Sequence, residues 1–268
     1  MPQTSSIETR DIDSIINLTG CPIESPDFRA DCRSRLDASG ALVLTDFLNA
    51  SAIDAIRQEG DANKHLAFFT NSNHNVYLQP TDTDLPEDHP RNRTVVSSKG
   101  CITTDQIPAD SYLRGLYDSE VFRDFLCEVL NVESLYEYAD PLSSINLHYA
   151  SNGQELGWHF DNSSFAITLL IQSPEEGGEF EYIKNIRNAE SGDMNFAAVE
   201  SVLNGDTKPQ TLSLNPGSLV LFRGRNSIHR VTPVLGDDTR MLVVLAYNTS
   251  AGVSLSESAR KTFYGRLN

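Results

Sequence analysis

Cysteine is scarce in this chain, and the four that occur, Cys21, Cys32, Cys101 and Cys127, stand far apart with no C-x-x-C spacing. That pattern argues against a disulfide framework and a zinc ribbon and leaves reduced thiols as the default. Positive charge is equally short: 21 Lys and Arg against 37 Asp and Glu give a formal net charge of −16. Such a balance opposes a nucleic-acid backbone and offers no polybasic patch to an anionic membrane. No apolar run reaches the roughly eighteen residues of a spanning helix. Met1–Arg10 lacks the charged and apolar regions of a secretory signal. The expectation is a cytoplasmic protein without nucleic-acid or membrane partners. No internal repeat or clear linker divides the chain, and 268 residues with 39% hydrophobic content suit one β-rich domain with a large core.

What is present centres on Trp158-His159-Phe160-Asp161, with His229 and then Arg240 far downstream. Side chains at i and i+2 of an extended strand project to the same side, so His159 and Asp161 can grip one metal ion. A third ligand, His229, would complete two imidazoles and a carboxylate on one face of an octahedron, the arrangement of non-haem Fe(II) oxygenases, with three positions left open. Zinc more often takes a closed tetrahedral set. An H-x-D pair alone is a weak signal, so its surroundings decide.

Those surroundings read as strands and turns. Phe165 to Gln172 is a β-prone run, Ser173 to Gly178 is turn-like, and Glu179 to Ile183 alternates cleanly. Asn215-Pro216-Gly217 forms a turn, Ser218 to Phe222 a buried strand, and residues 223–228 a connection that delivers His229. After the turn at 236–239, Arg240 opens the strand Met241 to Tyr247. A His and an Arg flanking one hairpin can converge on one pocket.

With H-x-D, a Gly-Gly turn, the strand Pro216-Gly-Ser-Leu-Val-Leu-Phe222, the distal His and an Arg in that order, residues 140–250 resemble the Fe(II)/2-oxoglutarate-dependent dioxygenases. The resemblance is closest to the small bacterial group of free amino-acid hydroxylases and lysine halogenases, through Trp158 to Phe165 and Gly224 to Val234. It implies a mainly β, α+β fold with flanking helices and a double-stranded β-helix core, jelly-roll and cupin-like, over about 136–250. Residues 1–135 would support that core within a single domain. It implies Fe(II), 2-oxoglutarate and O2 as cofactor and co-substrates, with His159, Asp161 and His229 as ligands and catalytic centre. Arg240 would meet the far carboxylate of 2-oxoglutarate, because a guanidinium offers a planar fork of donors. Many relatives place a Ser or Thr two residues later, whereas Leu242 stands here, so Thr168 or Tyr149 is the candidate second donor. Relatives also carry an Asn on the strand before H-x-D, a role open to Asn146 or His148. Halogenating members replace the carboxylate ligand by a small residue to admit chloride. Asp161 occupies that place here, which favours hydroxylation.

The expected substrate is a small molecule, a free amino acid such as lysine or another cationic one, since an acidic surface suits a cation; solubility explains that surface equally well. Asn162, Ser163 and Arg93 are candidate substrate contacts. The competing reading is a cupin-like binding or sensing protein that holds metal without turnover. His148 can equally be a core residue. Trp158 reads as packing rather than a substrate platform, and Arg225 and Arg230 as solvated strand-end charges. Gly40 to Leu48 predicts a strand, Ser51 to Glu59 a helix capped by Ser51, and Ser119 to Leu130 an amphipathic helix behind the major sheet. The proline-rich segment 79–93 reads as an active-site lid, or else a solvated connector, and the connection 184–212 as the opposite wall.

Overall fold

Period-two burial along the strands sets the architecture seen in the computed structural model, which describes residues 11–268. Met1–Arg10, read above for targeting signals, lies outside the described residues. The N-terminal part contributes α1 (Ile12–Ile15), α2 (Pro26–Ser39), β1 (Ala41–Leu44), α3 (Ala50–Asn63), β2 (Phe68–Asn75), β3 (Thr94–Ile102), α4 (Tyr112–Asp118) and α5 (Glu120–Leu130). The remainder supplies β4 (Ile145–Ala150), β5 (Leu156–His159), β6 (Ala166–Gln172), β7 (Glu176–Gly177), β8 (Phe180–Ile183), α6 (Phe196–Leu203) and β9 (Gln210–Leu212). It closes with β10 (Leu219–Phe222), β11 (Ile228–Val231), β12 (Val234–Leu235), β13 (Arg240–Leu245) and α7 (Glu257–Tyr264).

The strands form a nearly closed antiparallel barrel in the order β1-β10-β6-β13-β4-β3-β5-β11-β8-β9, with β2 paired to β3. β3 is the hinge of this closure, because Gly100 to Ile102 pair with β4 while Ser97 pairs with Leu156 of β5. The helix-backed sheet, β10-β6-β13-β4, presents Leu147, Tyr149, Ile167, Leu169, Leu219, Leu221, Met241 and Val243 outward to a core shared with the N-terminal helices. Burying each such aliphatic side chain contributes roughly 1.5–3 kcal/mol. The alternate residues of the same strands face the barrel interior.

The expected α+β, double-stranded β-helix fold is therefore the observed one, with local corrections. The first strand ends at Leu44 rather than Leu48, because the chain turns at Asp46, whose φ is 53°. The following helix starts at Ala50 with Asn49, not Ser51, at its N-cap; the Asn49 amide instead donates to Asp13 O and Ile16 O, tying α3 to α1. α2 has a Ser25 cap, Pro26 at its start and a left-handed Gly40 at its end, signals that predict a helix even where charge obscures the apolar stripe. The connection 184–212 contains α6 and β9 rather than irregular chain. α5 matches its expected stripe, with Phe122, Phe125, Leu126, Val129 and Leu130 buried. Among the described residues no helix is long and apolar enough to cross a membrane.

Candidate active site

His159 closes β5, and His229 lies directly opposite it on β11 as an antiparallel cross-strand partner. That register brings two imidazoles from distant sequence positions to a ring separation of 4.2 Å. Asp161 stays alongside because its backbone N–H donates to Gly224 O, at 3.1 Å. Its Oδ1 lies 3.5 Å from His229 Nε2 and 4.0 Å from His159 Nε2. One ligand atom from each of the three falls within 4.8 Å of the others.

Both rings are held in the orientation a metal needs. His159 Nδ1 donates to Gly157 O at 2.8 Å and His229 Nδ1 to Ser227 O at 3.0 Å. Each backbone carbonyl fixes the tautomer and leaves Nε2 with a free lone pair pointing at the carboxylate. Burial, with His229 beside it, pushes His159 down to about 3, so it stands neutral and ready to ligate at ordinary pH. Burial alone would raise Asp161, but His229, His159 and Lys99 outweigh it and keep the carboxyl below its usual range. Asp161 Oδ2 is buried without a hydrogen-bond partner, a cost that a cation in the site would remove. Gly224 is part of the cradle, since a methyl group built there would overlap Asp161 Oδ2. Two neutral nitrogens and one carboxylate fit Fe(II).

The triad opens into an enclosed cavity of about 250 Å³. Larger clefts exist, such as the one of about 490 Å³ around Arg29, Arg33 and Asp37, but they are open surface grooves remote from the triad. Apolar side chains dominate the enclosed wall, among them Leu156, Phe165, Phe180, Val220, Phe222 and Leu242. Arg240 projects inward from the start of β13, 5% exposed, and forms no hydrogen bond or ion pair among the described residues. Burial pushes its guanidinium down to about 10, still charged at neutral pH. Room for it comes from the Gly-Gly turn: Gly178 adopts φ 62°, and a Cβ there would lie 2.9 Å from Arg240 Cδ. Thr168, the neighbour of Val244 across β6 and β13, lines the same cavity.

His148 also faces the cavity, and burial, followed by the charges of Lys99 and Arg240, holds it well below its ordinary value. Tyr149 does not, which corrects its candidacy as a co-substrate donor: one residue on from His148 it faces the helices, and its hydroxyl donates to Gly60 O at 2.7 Å. Asn146 shares the interior face but opens onto a side chamber of about 190 Å³; its amide donates to Leu142 O and Ile145 O, and its Oδ1 accepts from the Tyr264 hydroxyl.

The substrate candidates separate similarly. Ser163 lines the cavity near its mouth. Asn162 is exposed outside it, with its backbone oxygen accepting from Arg225. Arg93 is spent elsewhere, donating to Asn204 Oδ1 and Leu203 O at the end of α6. The segment 79–93 contributes nothing to the described cavity wall; its buried Asn92 ties it into a local knot through Asp82, Leu85 and Pro86. This segment packs with α6 outside the sheet that carries His159 and His229, where His89 meets Phe196 and Arg91 lies over Tyr77. The expected opposite wall is displaced likewise, since Arg187 stacks on Phe160 at 3.9 Å. Trp158 is a packing residue beneath Arg230, at 4.7 Å. Arg225 and Arg230 pair with Glu190 and Glu181.

Two residues escaped sequence reasoning. Lys99, on β3, enters the cavity beside His148, and His74 stands edge-on behind His159 with a ring separation of 6.2 Å. Thr94 to Ile102 carries no clear period-two apolar pattern, so the sequence offered no signal for Lys99.

Fold and ligand set together define a Fe(II)- and 2-oxoglutarate-dependent oxygenase with the facial triad His159, Asp161 and His229. The chain belongs to the family described as Halogenase D, whose sequence profile matches residues 25–263. Similar solved structures include an oxidoreductase of the 2OG-Fe(II) oxygenase family from Burkholderia pseudomallei, 13% identical over 84% of this chain and 93% of the other, with a TM-score of 0.54. A prolyl hydroxylase from Trichoplax adhaerens, in complex with a hypoxia inducible factor peptide fragment, is 13% identical over 84% and 90%, with a TM-score of 0.55. The non-heme alpha ketoglutarate dependent epimerase SnoN from nogalamycin biosynthesis is 12% identical over 83% and 84%, with a TM-score of 0.57. No curated protein matches the chain in sequence.

Proposed function

We propose that this chain hydroxylates an unactivated C–H bond of a small molecule, a free amino acid being the class its sequence resemblance suggests. The single observation that carries hydroxylation over halogenation is Asp161: a carboxylate fills the third ligand position that halogenating relatives leave to chloride. When bound, iron and 2-oxoglutarate supply the oxidising power, and the protein supplies geometry and exclusion of water.

The residues divide that labour. His159 and His229 present oriented Nε2 lone pairs, and Asp161 neutralises part of the metal charge. Arg240, enclosed and without a counter-charge among the described residues, is suited to the distal carboxylate of 2-oxoglutarate, and the Thr168 hydroxyl is the second donor within the same cavity. Leu156, Phe165, Phe180 and Phe222 keep water from the reacting C–H bond. The test supplies purified protein with Fe(II), 2-oxoglutarate, O2, chloride and a pool of amino acids. Succinate release should accompany products heavier by one oxygen atom. A chlorinated product from the unaltered protein would overturn the reading, and Arg240→Met should weaken 2-oxoglutarate binding by about a hundredfold.

A further inference from the structure

Besides Arg240, the cavity holds a second enclosed cation for which the reaction as proposed has no use. Lys99 projects from β3, and its Nζ lies 3.1 Å and 3.2 Å from the two ring nitrogens of His148. A neutral imidazole has one lone pair to offer, so at most one of the three ammonium N–H groups is satisfied by it. The Lys99 ammonium has no other hydrogen bond or ion pair among the described residues. A partly buried ammonium without a carboxylate is costly, and such a group either loses its proton or awaits an anion.

The wall of the cavity supplies no free anion of its own. Asp161 is the only acidic residue lining it among the described residues, and Asp161 belongs to the metal. Arg240 and Lys99 project into the same cavity, with His148 between β3 and β13: it pairs with Cys101 on one side and Leu242 on the other. The remaining lining is largely aliphatic and aromatic, with hydroxyl-bearing residues at Tyr138, Ser163 and Thr168. A diacid on Arg240 leaves Lys99 the one cation without a partner. A basic side chain in the substrate would have no carboxylate to meet.

We propose that Lys99 is the anchor for a carboxylate on the substrate, and that the substrate is a monocarboxylate with an uncharged, largely apolar body rather than a cationic amino acid. His148 is then a positioning residue: as a neutral acceptor it steers the ammonium while leaving N–H groups for the incoming anion. This assignment rests on the reading of Arg240 as the co-substrate anchor. The carboxylate can come from a simple organic acid or from a neutral amino acid, whose α-ammonium would then have only uncharged acceptors of the wall to meet, and the two sources share the same contact with Lys99.

The experiment uses the full chain loaded with Zn(II) and 2-oxoglutarate, so that no turnover intervenes, with binding read by calorimetry. Probes are L-leucine, L-phenylalanine, L-lysine, 4-methylpentanoate and 3-phenylpropionate, each beside its primary amide. For at least one apolar probe the acid should bind about tenfold or more tightly than the amide, as loss of a charge-assisted contact implies, and L-lysine should bind more weakly than L-leucine. Preference for L-leucine over 4-methylpentanoate identifies an amino acid as the source, and the reverse a simple acid. Lys99→Met should erase the acid preference with 2-oxoglutarate affinity changed by less than about twofold, and Lys99→Arg should retain it. The assignment is overturned if no acid is preferred over its amide in the unaltered protein, or if L-lysine is the tightest ligand. Should Lys99→Met weaken 2-oxoglutarate binding as far as Arg240→Met, Lys99 belongs to the co-substrate site. Loss of 2-oxoglutarate binding in neither variant removes the Arg240 reading instead.

Discussion

The two halves of the barrel are stabilised by different means. β4, β13, β6 and β10 turn one face to a core shared with α2 to α5, in which side chains such as Leu36, Phe122, Leu147, Leu169 and Val243 are fully buried. The outside of β5, β11 and β8 has a thinner cover: Val76, Tyr77, Trp158, Phe160, Ile186, Val199, Val202 and Ile228, topped by the guanidinium stacks of Arg187 and Arg230. The first half rests on dehydration and dispersion over a large area, the second on a smaller apolar cluster capped by guanidinium groups stacked on its rings. Two of the metal ligands, His159 and His229, lie on the thinly covered half, whereas Arg240 and His148 lie on the helix-backed half. A bound ion and diacid would therefore tie the weaker sheet to the stronger one.

Removing a ligand should break that tie most severely. His229→Ala is expected to lower metal affinity by more than the 10–100-fold typical of losing only a ligand's hydrogen-bond partner, and to cost the metal-free protein some stability as well, because the ring is buried against Phe180 and Phe222; titration with Mn(II) beside urea unfolding separates the two. The next effect compares the two cores directly. Leu169→Ala should cost about 3–5 kcal/mol and Ile186→Ala about 2–3 kcal/mol, because Ile186 is already 8% exposed and its surroundings relax more easily. Equal costs in urea unfolding would contradict the contrast.

Acid should act on the half that carries His159 and His229. His159 in the folded, metal-free protein sits at about 3 against an ordinary 6.5, so below 6.5 the unfolded chain takes up a proton that the folded chain refuses. Stability contributed above 6.5 is therefore lost as pH falls toward 3, at up to about 1.4 kcal/mol per pH unit for this one group. Unfolding midpoints measured at pH 7, 6 and 5 should decline, and a flat profile would refute it. The smallest effect belongs to the cover itself: Arg187→Ala should cost about 1 kcal/mol or less, with metal affinity unchanged by calorimetry.

How much of this was legible in the chain follows from the range of each signal. The metal ligands were readable because strand alternation fixes His159 with Asp161, and ordered turns deliver His229. Arg240 was readable as the opening residue of the last long strand. Choosing among Asn146, His148 and Tyr149 required knowing which face of β4 meets the helices, information that resides in Gly60 and α3 rather than in the strand. Arg93 and the segment 79–93 misled because a polar, proline-rich stretch states that it is irregular, not where it packs; Asn92 and the end of α6 decide that. Lys99 was missed because Thr94 to Ile102 carries little apolar alternation, and its strand earns its place by bridging the two sheets.

Gly224 has a consequence for how this scaffold can change its chemistry. A methyl group at 224 and a carboxylate at 161 compete for one volume, so residue 224 cannot grow while the carboxylate stands. Shortening residue 161 removes the larger part of the restriction; a Cβ at 224 then still meets His229 Cε1 at 3.0 Å, so Gly224→Ala needs only a small shift of that ring where beforehand it would evict the carboxylate. The order of substitutions therefore matters: a lineage that loses the acid first can elaborate the neighbouring loop, and its way back to a carboxylate closes behind it.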